Sequence, residues 1–298
     1  EAIHHDPTHS YAHSGLGHCH AITGRWQEAE AAYREAIHHD PTHSYAHSGL
    51  GHCHAITGRW QEAEAAFREA IHHDPTHSYA HSGLGHCHGE AGRWQEAEAA
   101  FREAIHHDPD NSYAHSGLGG LLWLRDDMTG AESHFKSALS IDTRSFAATR
   151  LGLLLLHTGR PDQARAVLEV GPAGDVRREL FLAVALHAVE PAQVPARLQA
   201  ALVASEQPTH PRRITPPFTQ ALERAWALAA TGDGAEGAAE LRAVSGSRDA
   251  YEMFDKPAHD QLARVIDSAQ LEPILQVWRE IITTDPHACG PWGPPTTP

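Results

Sequence analysis

The stretch EAIHHDPTHSYAHSGLGHCHAITGRWQEAEAAYR, residues 1–34, is followed at once by itself. Residues 35–68 differ only in Phe67 for Tyr33, and residues 69–102 differ from that second copy only at Gly89, Glu90 and Ala91. A fourth copy opens at Glu103 and departs from the pattern after Gly119. A fixed period constrains the fold more tightly than composition does. Each copy must take the same local structure, and one short unit cannot bury its own apolar surface, so the core has to form between neighbours. The length of 298 residues, which alone would point to about two ordinary domains, therefore reads as a linear array.

Within one unit, Gly24 and the pair Asp40-Pro41 mark two breaks, which predicts helices over 11–23 and 25–39. In the second helix Trp26, Ala29, Tyr33, Ala36 and Ile37 form one apolar stripe at helical spacing, with Gln27, Glu28 and Glu35 off the stripe. Glu30 precedes Arg34 by four residues, the favourable order for an exposed pair. Pro41 cannot continue a helix. In the first helix Leu16, Gly17 and His20 are expected to face the partner helix, Gly17 letting two backbones approach, and Ser10 is expected to serve as N-cap.

These positions resemble the tetratricopeptide repeat, whose pattern runs Trp-x2-Leu-Gly-x2-Tyr, then Ala-x3-Phe, then Pro. Leu16, Gly17, Ala29, Tyr33 and Pro41 match it, as do Leu50, Gly51, Ala63, Phe67 and Pro75, and Leu84, Gly85, Ala97, Phe101 and Pro109. His13, His47, His81 and His115 stand where the pattern has Trp; His20, His54 and His88 stand where it has Tyr. The resemblance implies an all-α fold, an α-α superhelix of hairpins. Units are expected near 10–43, 44–77, 78–111, 112–144 and 145–171, after a truncated upstream repeat ending at 1–9. Residues 172–286 read as diverged helical hairpins, with helices near 175–188, 193–205, 218–231, 234–245, 257–268 and 271–284. A linker is expected at 208–217 and a disordered tail at 287–298. The stretch WREIITTDP, 278–286, echoes YREAIHHDP, 33–41.

The resemblance further implies that the first helices line a concave groove that binds a peptide or helix of another protein. Carried over by position, the groove residues are Tyr11, Ser14 and His18; Tyr45, Ser48 and His52; Tyr79, Ser82 and His86; and Tyr113 and Ser116. Relatives that clamp a C-terminal carboxylate use Lys and Asn at such positions, which this chain lacks there. Evenly stepped groove histidines are expected to turn cationic as pH falls from about 7 to 5 and then to favour an acidic peptide.

Composition narrows the function classes. A net charge of −15 disfavours a sequence-independent hold on nucleic acid. No apolar run reaches the length of a membrane span; LGLLLL at 151–156 is too short. The 27 histidines raise metal binding as the alternative function, with Ni, Zn or Cu as ions. His18, Cys19 and His20 point about 100° apart on a helix and cannot close on one ion. No His-Glu-x-x-His or Cys-x-x-Cys occurs, so the groove histidines His18, His52 and His86 are weak metal candidates and any divalent ion is expected to be adventitious. No phosphate-binding loop, Gly-x-Ser-x-Gly or Gly-x-Gly-x-x-Gly is present, so no catalysis and no cofactor are expected. Cys19, Cys53 and Cys87 recur once per unit, too far apart to pair, and read as reduced thiols of a cytoplasmic protein. The scarcity of Lys and Asn codons points to a GC-rich bacterial genome.

Overall fold

The computed structural model describes residues 6, 8–143, 147–171, 175–206, 217–244, 255–263, 266, 267, 269, 270, 272–274, 276 and 277. Among them every regular element is helical. The chain divides into two compact units, one ending at Leu121 and the other beginning at Leu122, so the boundary falls inside the fourth repeat. It lies just past Gly119, where the near-identical copies end, and well before the change of organisation expected at 171–172. The predicted upstream remnant falls mostly outside the described residues. The linker lies there but for Pro217, and the tail and the 278–286 echo lie there entirely.

The first unit contains α1 (Ser10–Ile22), α2 (Trp26–His39), α3 (Ser44–Ile56), α4 (Trp60–His73), α5 (Ser78–Glu90) and α6 (Trp94–His107), and α7 (Ser112–Leu124) begins in it. Each hairpin turns on a glycine in the left-handed region, Gly24 at φ 73°, Gly58 at 73° and Gly92 at 70°. A side chain there would strain the backbone. Between hairpins, the Asp40 carboxylate accepts from the Thr42 amide at 3.0 Å and its hydroxyl at 2.7 Å, an arrangement repeated at Asp74 and Thr76. The histidines in the pattern's Trp position lock the same turn. His47 Nε2 lies 2.9 Å from the Pro41 carbonyl, His81 Nε2 2.9 Å from Pro75 and His115 Nε2 3.1 Å from Pro109. A carbonyl only accepts, so Nε2 carries the proton in these rings.

One aromatic ring per hairpin joins neighbouring repeats. A Cβ on Gly17 would lie 2.9 Å from the Tyr33 ring, and one on Gly49, in the next repeat, 2.3 Å from it. Phe67 is held in the same way by Gly51 and Gly83, and Phe101 by Gly85 and Gly117. The S-G-L-G motif is thus a clasp, its two glycines admitting rings from two successive second helices. This corrects the expectation for Gly17, which admits a ring rather than a backbone. A charged ladder runs beside the clasps. Arg59 donates to both Glu30 oxygens, at 3.3 and 2.6 Å, and Arg93 to Glu64 at 2.6 Å. Glu30 is therefore not simply half of an exposed pair with Arg34; it also ties one repeat to the next.

The helix starts also differ from expectation. Ser10 is buried as the first helical residue, and His9 precedes it as the cap, its Nδ1 accepting from Ala12 N at 3.3 Å. Before α7 Asn111 takes that place. It is 3% exposed, accepts from Ala114 N at 2.9 Å and donates to Ser78 Oγ at 2.6 Å and Ser82 Oγ at 2.9 Å.

The second unit holds α8 (Met128–Ile141), α9 (Ala147–His157), α10 (Pro161–Val170), α11 (Val176–Val189), a short 3-10 turn (Pro191–Gln193), α12 (Val194–Glu206), α13 (Pro217–Thr231), α14 (Gly234–Val244) and α15 (Asp255–Leu262). The clasp persists with a different side chain, since a Cβ on Gly152 would meet Leu168 at 2.5 Å. Arg160 and Glu132 continue the ladder at 2.6 and 3.1 Å. The core changes from alanine and single rings to close-packed leucine and aromatic side chains, among them Leu151, Leu154, Leu180, Phe181 and Trp226. Arg177 and Glu223 form an ion pair at 2.7 Å with both side chains 5% exposed. The last complete helix ends at Leu262, short of the expected 268, and residues 272–274, 276 and 277 of the expected final helix are helical.

Candidate partner-binding face

The first helices of the first unit place one tyrosine each on the surface. Tyr11 is 67%, Tyr45 65% and Tyr79 63% exposed, although tyrosine seldom leaves so much ring in water. Each stands at the second position of its helix. Tyr11 leans on His43 with ring centroids 4.3 Å apart, and Tyr45 on His77 at 4.5 Å. In the third repeat Asn111 replaces that histidine, and Tyr113 of the fourth stacks on His86 at 4.2 Å.

The serines assigned to the groove do not share this exposure. Ser48, Ser82 and Ser116 are buried, and Ser82 is fully so, donating to the Ser78 carbonyl and accepting from Asn111. Ser14 alone is partly open. Their burial makes the later serines part of the packing and corrects their assignment as surface ligands.

The histidines split. His18 is exposed, while His52 is half-buried, set edge-on 6.0 Å from the Trp26 ring. His86 lies 5.0 Å from Phe101 as well as on Tyr113. Burial, with the His18 charge second, pushes the His52 imidazole down to about 4. His52 thus stays neutral from pH 7 to 5, which overturns the expected cationic switch at that position. Among the described residues, no three His, Cys, Asp or Glu side chains come together in a group able to hold a metal ion.

Sequence reasoning missed the loops between hairpins. A recess of about 250 Å³ opens between Tyr45 and Tyr79, with Asp74, His77, His107 and Asp108 in its lining. The Thr76 hydroxyl holds the Asp74 carboxyl below its ordinary range. His77 is 6% exposed with its Nε2 unpartnered, and burial lowers its pKa, so the recess has no compensating cation at that position. The signal was present in the repeated HHDPTH, but its Asp-Pro was read only as a helix stop.

Family models described as tetratricopeptide repeat match residues 1–42 and 23–78, 54–121, and 146–169. Over these residues the chain is built of tetratricopeptide repeats, a class of repeat that serves in protein-interaction scaffolds. No curated protein matches it. Among solved structures, it is similar to Pseudomonas aeruginosa pilF, with 20% identity over 64% of this chain and 89% of that one and a TM-score of 0.55. It is also similar to the Cut9–Hcn1 hetero-tetramer of the APC/C, at 19% identity and a TM-score of 0.62 over 71% of this chain, spanning only 43% of that one. A thermophilic protein of Thermus thermophilus matches at 19% identity over 65% of this chain and 99% of its own, with a TM-score of 0.50. These likenesses show the fold. Among the described residues no helix is long and apolar enough to cross a membrane.

Proposed function

We propose that the first unit binds an extended segment of another protein along the tyrosines at 11, 45, 79 and 113, and that the segment is basic. The observation that carries this reading is the repetition of a largely bare phenol ring at a 34-residue interval, with Asp74 and Asp108 lining the recess between Tyr45 and Tyr79. A Lys or Arg side chain in that recess meets ring faces and carboxylates together, and a cation over an exposed ring is worth about 0.5–1 kcal/mol. The net charge of −15 acts in the same direction by raising the encounter rate with cationic segments. The acidic partner anticipated from the histidines has no such support, since His52 stays neutral.

Neighbouring first helices lie on the order of 10 Å apart, and an extended chain advances about 3.3 Å per residue. One basic side chain in every three residues therefore matches the array. Selection of a displayed random-peptide library on the intact protein, with Tyr45→Ala/Tyr79→Ala as the counter-selection, tests this. Enrichment of Lys or Arg at a three-residue interval, lost in the double variant and weakened by salt, is the expected result. Equal capture by both proteins, or enrichment of acidic peptides, overturns it.

A further inference from the structure

A second hollow, of about 340 Å³, lies between repeats one and two and shares no residue with the tyrosine face. Its walls include Ile37 of α2, His47, Leu50 and His54 of α3, and Ala65 and Ala66 of α4. The two histidines are the residues that replace Trp and Tyr of the family pattern. An imidazole is smaller than an indole or a phenol, so both replacements withdraw aromatic volume from the same place. His54 is 5% exposed, and its Nδ1 has no hydrogen-bond partner. The hollow therefore lacks ring volume that the family pattern places at these two positions. Burial, with Arg59 second, holds the imidazole below its ordinary pKa, which keeps it neutral at pH 7. The third repeat carries the same residue types at His81, Leu84 and His88, and His88 is likewise buried, its Nδ1 3.9 Å from Glu64 Oε1.

We propose that this hollow is a socket for a tryptophan side chain of a partner protein, the indole filling the withdrawn volume. The floor of Ile37, Leu50 and alanines suits a ring face. Arg34 also lines the hollow but is already engaged by Glu30 at 2.6 Å, while Glu62 and Glu69 add two carboxylates. An anion is therefore disfavoured, and residues flanking the tryptophan are expected to be basic. A free small aromatic would use the same floor but none of the flanking charge, which separates the two sources.

The test uses the full chain and the peptide acetyl-Lys-(5-fluoro-Trp)-Lys-amide, followed by its fluorine signal. Broadening of that signal by the protein, reversed by unlabelled Lys-Trp-Lys but not by Lys-Ala-Lys, and stronger than for 5-fluoroindole or a Glu-flanked peptide, is the expected result. His47→Trp/His54→Tyr/His81→Trp/His88→Tyr refills the hollow and the matching positions of the third repeat, and should abolish the broadening while raising the thermal midpoint. Ala65→Leu/Ala99→Leu blocks the rims from exposed positions and should abolish it without touching the core. Tyr45→Ala/Tyr79→Ala should leave it unchanged. Undiminished broadening in a folded blocked variant, or loss of it in the tyrosine variant, overturns the proposal. Equal broadening of 5-fluoroindole would leave a pocket for small aromatics and sink the partner-protein claim.

Discussion

Gly15 and Gly83 occupy the same place in nearly identical stretches of sequence, yet their surroundings are opposite. A Cβ at Gly15 meets nothing within 4 Å, and one at Gly83 would sit 2.3 Å from the Phe67 ring. Gly83→Ala should therefore destabilise the protein by roughly 1–3 kcal/mol, the usual cost of overpacking. Gly15→Ala should stabilise it by about 0.5–1 kcal/mol through helix propensity. Urea midpoints of the two variants check both signs; two losses of similar size would remove the clasp as the cause. Asp126 offers a third case, because it holds φ 65° where the hairpins before it have Gly24, Gly58 and Gly92. Asp126→Gly is expected to raise the midpoint. The apolar stripe of Trp26 to Ile37 was legible because side-chain type and helical period agree. The clasp was not, since a glycine in sequence does not say whether a ring, a backbone or water fills the space beside it.

The hairpin is the element that repeats, and its ends were read to within about one residue: 11–23 and 25–39 were expected where Ser10–Ile22 and Trp26–His39 are found. Proline, glycine and the apolar period fixed them. The bonds between hairpins were harder to see, because residues 29 apart in sequence become neighbours only after stacking. Arg93→Gln removes one of the two arginines paired with Glu64, Arg68 being the other, from a site where the Arg93 side chain is 38% exposed. Solvent screening limits the loss to roughly 0.5–1 kcal/mol, and the carboxyl of Glu64 should then titrate closer to its ordinary range. Deleting residues 44–77 is a stronger test of the element. It joins His43 to Ser78, brings Tyr33 to Gly83 and aligns Glu30 with Arg93, so clasp and ladder both reform. The shortened protein should unfold cooperatively with a lower midpoint. Removing only 44–60 destroys both contacts, and that chain should lack a cooperative transition by circular dichroism.

For the molecule, acid is the expected weakness, and it sets in early. Burial lowers the pKa values of His43, His52, His54, His77 and His88 in the folded protein. Their unfolded counterparts take up protons near 6.5, so the folded state binds fewer protons below that pH. The stability they contribute is complete above about 6.5 and falls as pH drops, down to about 4 for His52. Each histidine adds up to about 1.4 kcal/mol of lost stability per pH unit within its window. Carboxylates act lower: Glu132, held at about 2 by Arg160 and Lys136, contributes above its ordinary range and loses that as pH falls toward 2. A thermal midpoint that already declines between pH 6.5 and 5, with a shallower decline in His52→Gln, is the expected profile; a flat midpoint down to about pH 5 contradicts it. The abundance of histidine was legible at once. Its meaning was not, because burial decides whether an imidazole is a surface charge or a packing ring, and burial here comes from the neighbouring repeat. The tyrosines of the candidate face were legible for the converse reason, since the second position of α1, α3 and α5 stays uncovered.

The ring clasp also bears on how such a gene can change. Because the joints at Tyr33, Phe67 and Phe101 are the same pair of glycines around one ring, a misaligned exchange between these copies that gains or loses 34 codons creates no new kind of junction. The number of tyrosines on the face is then set by copy number, and the reach of the protein along a partner can lengthen or shorten in whole steps without any joint having to be reinvented.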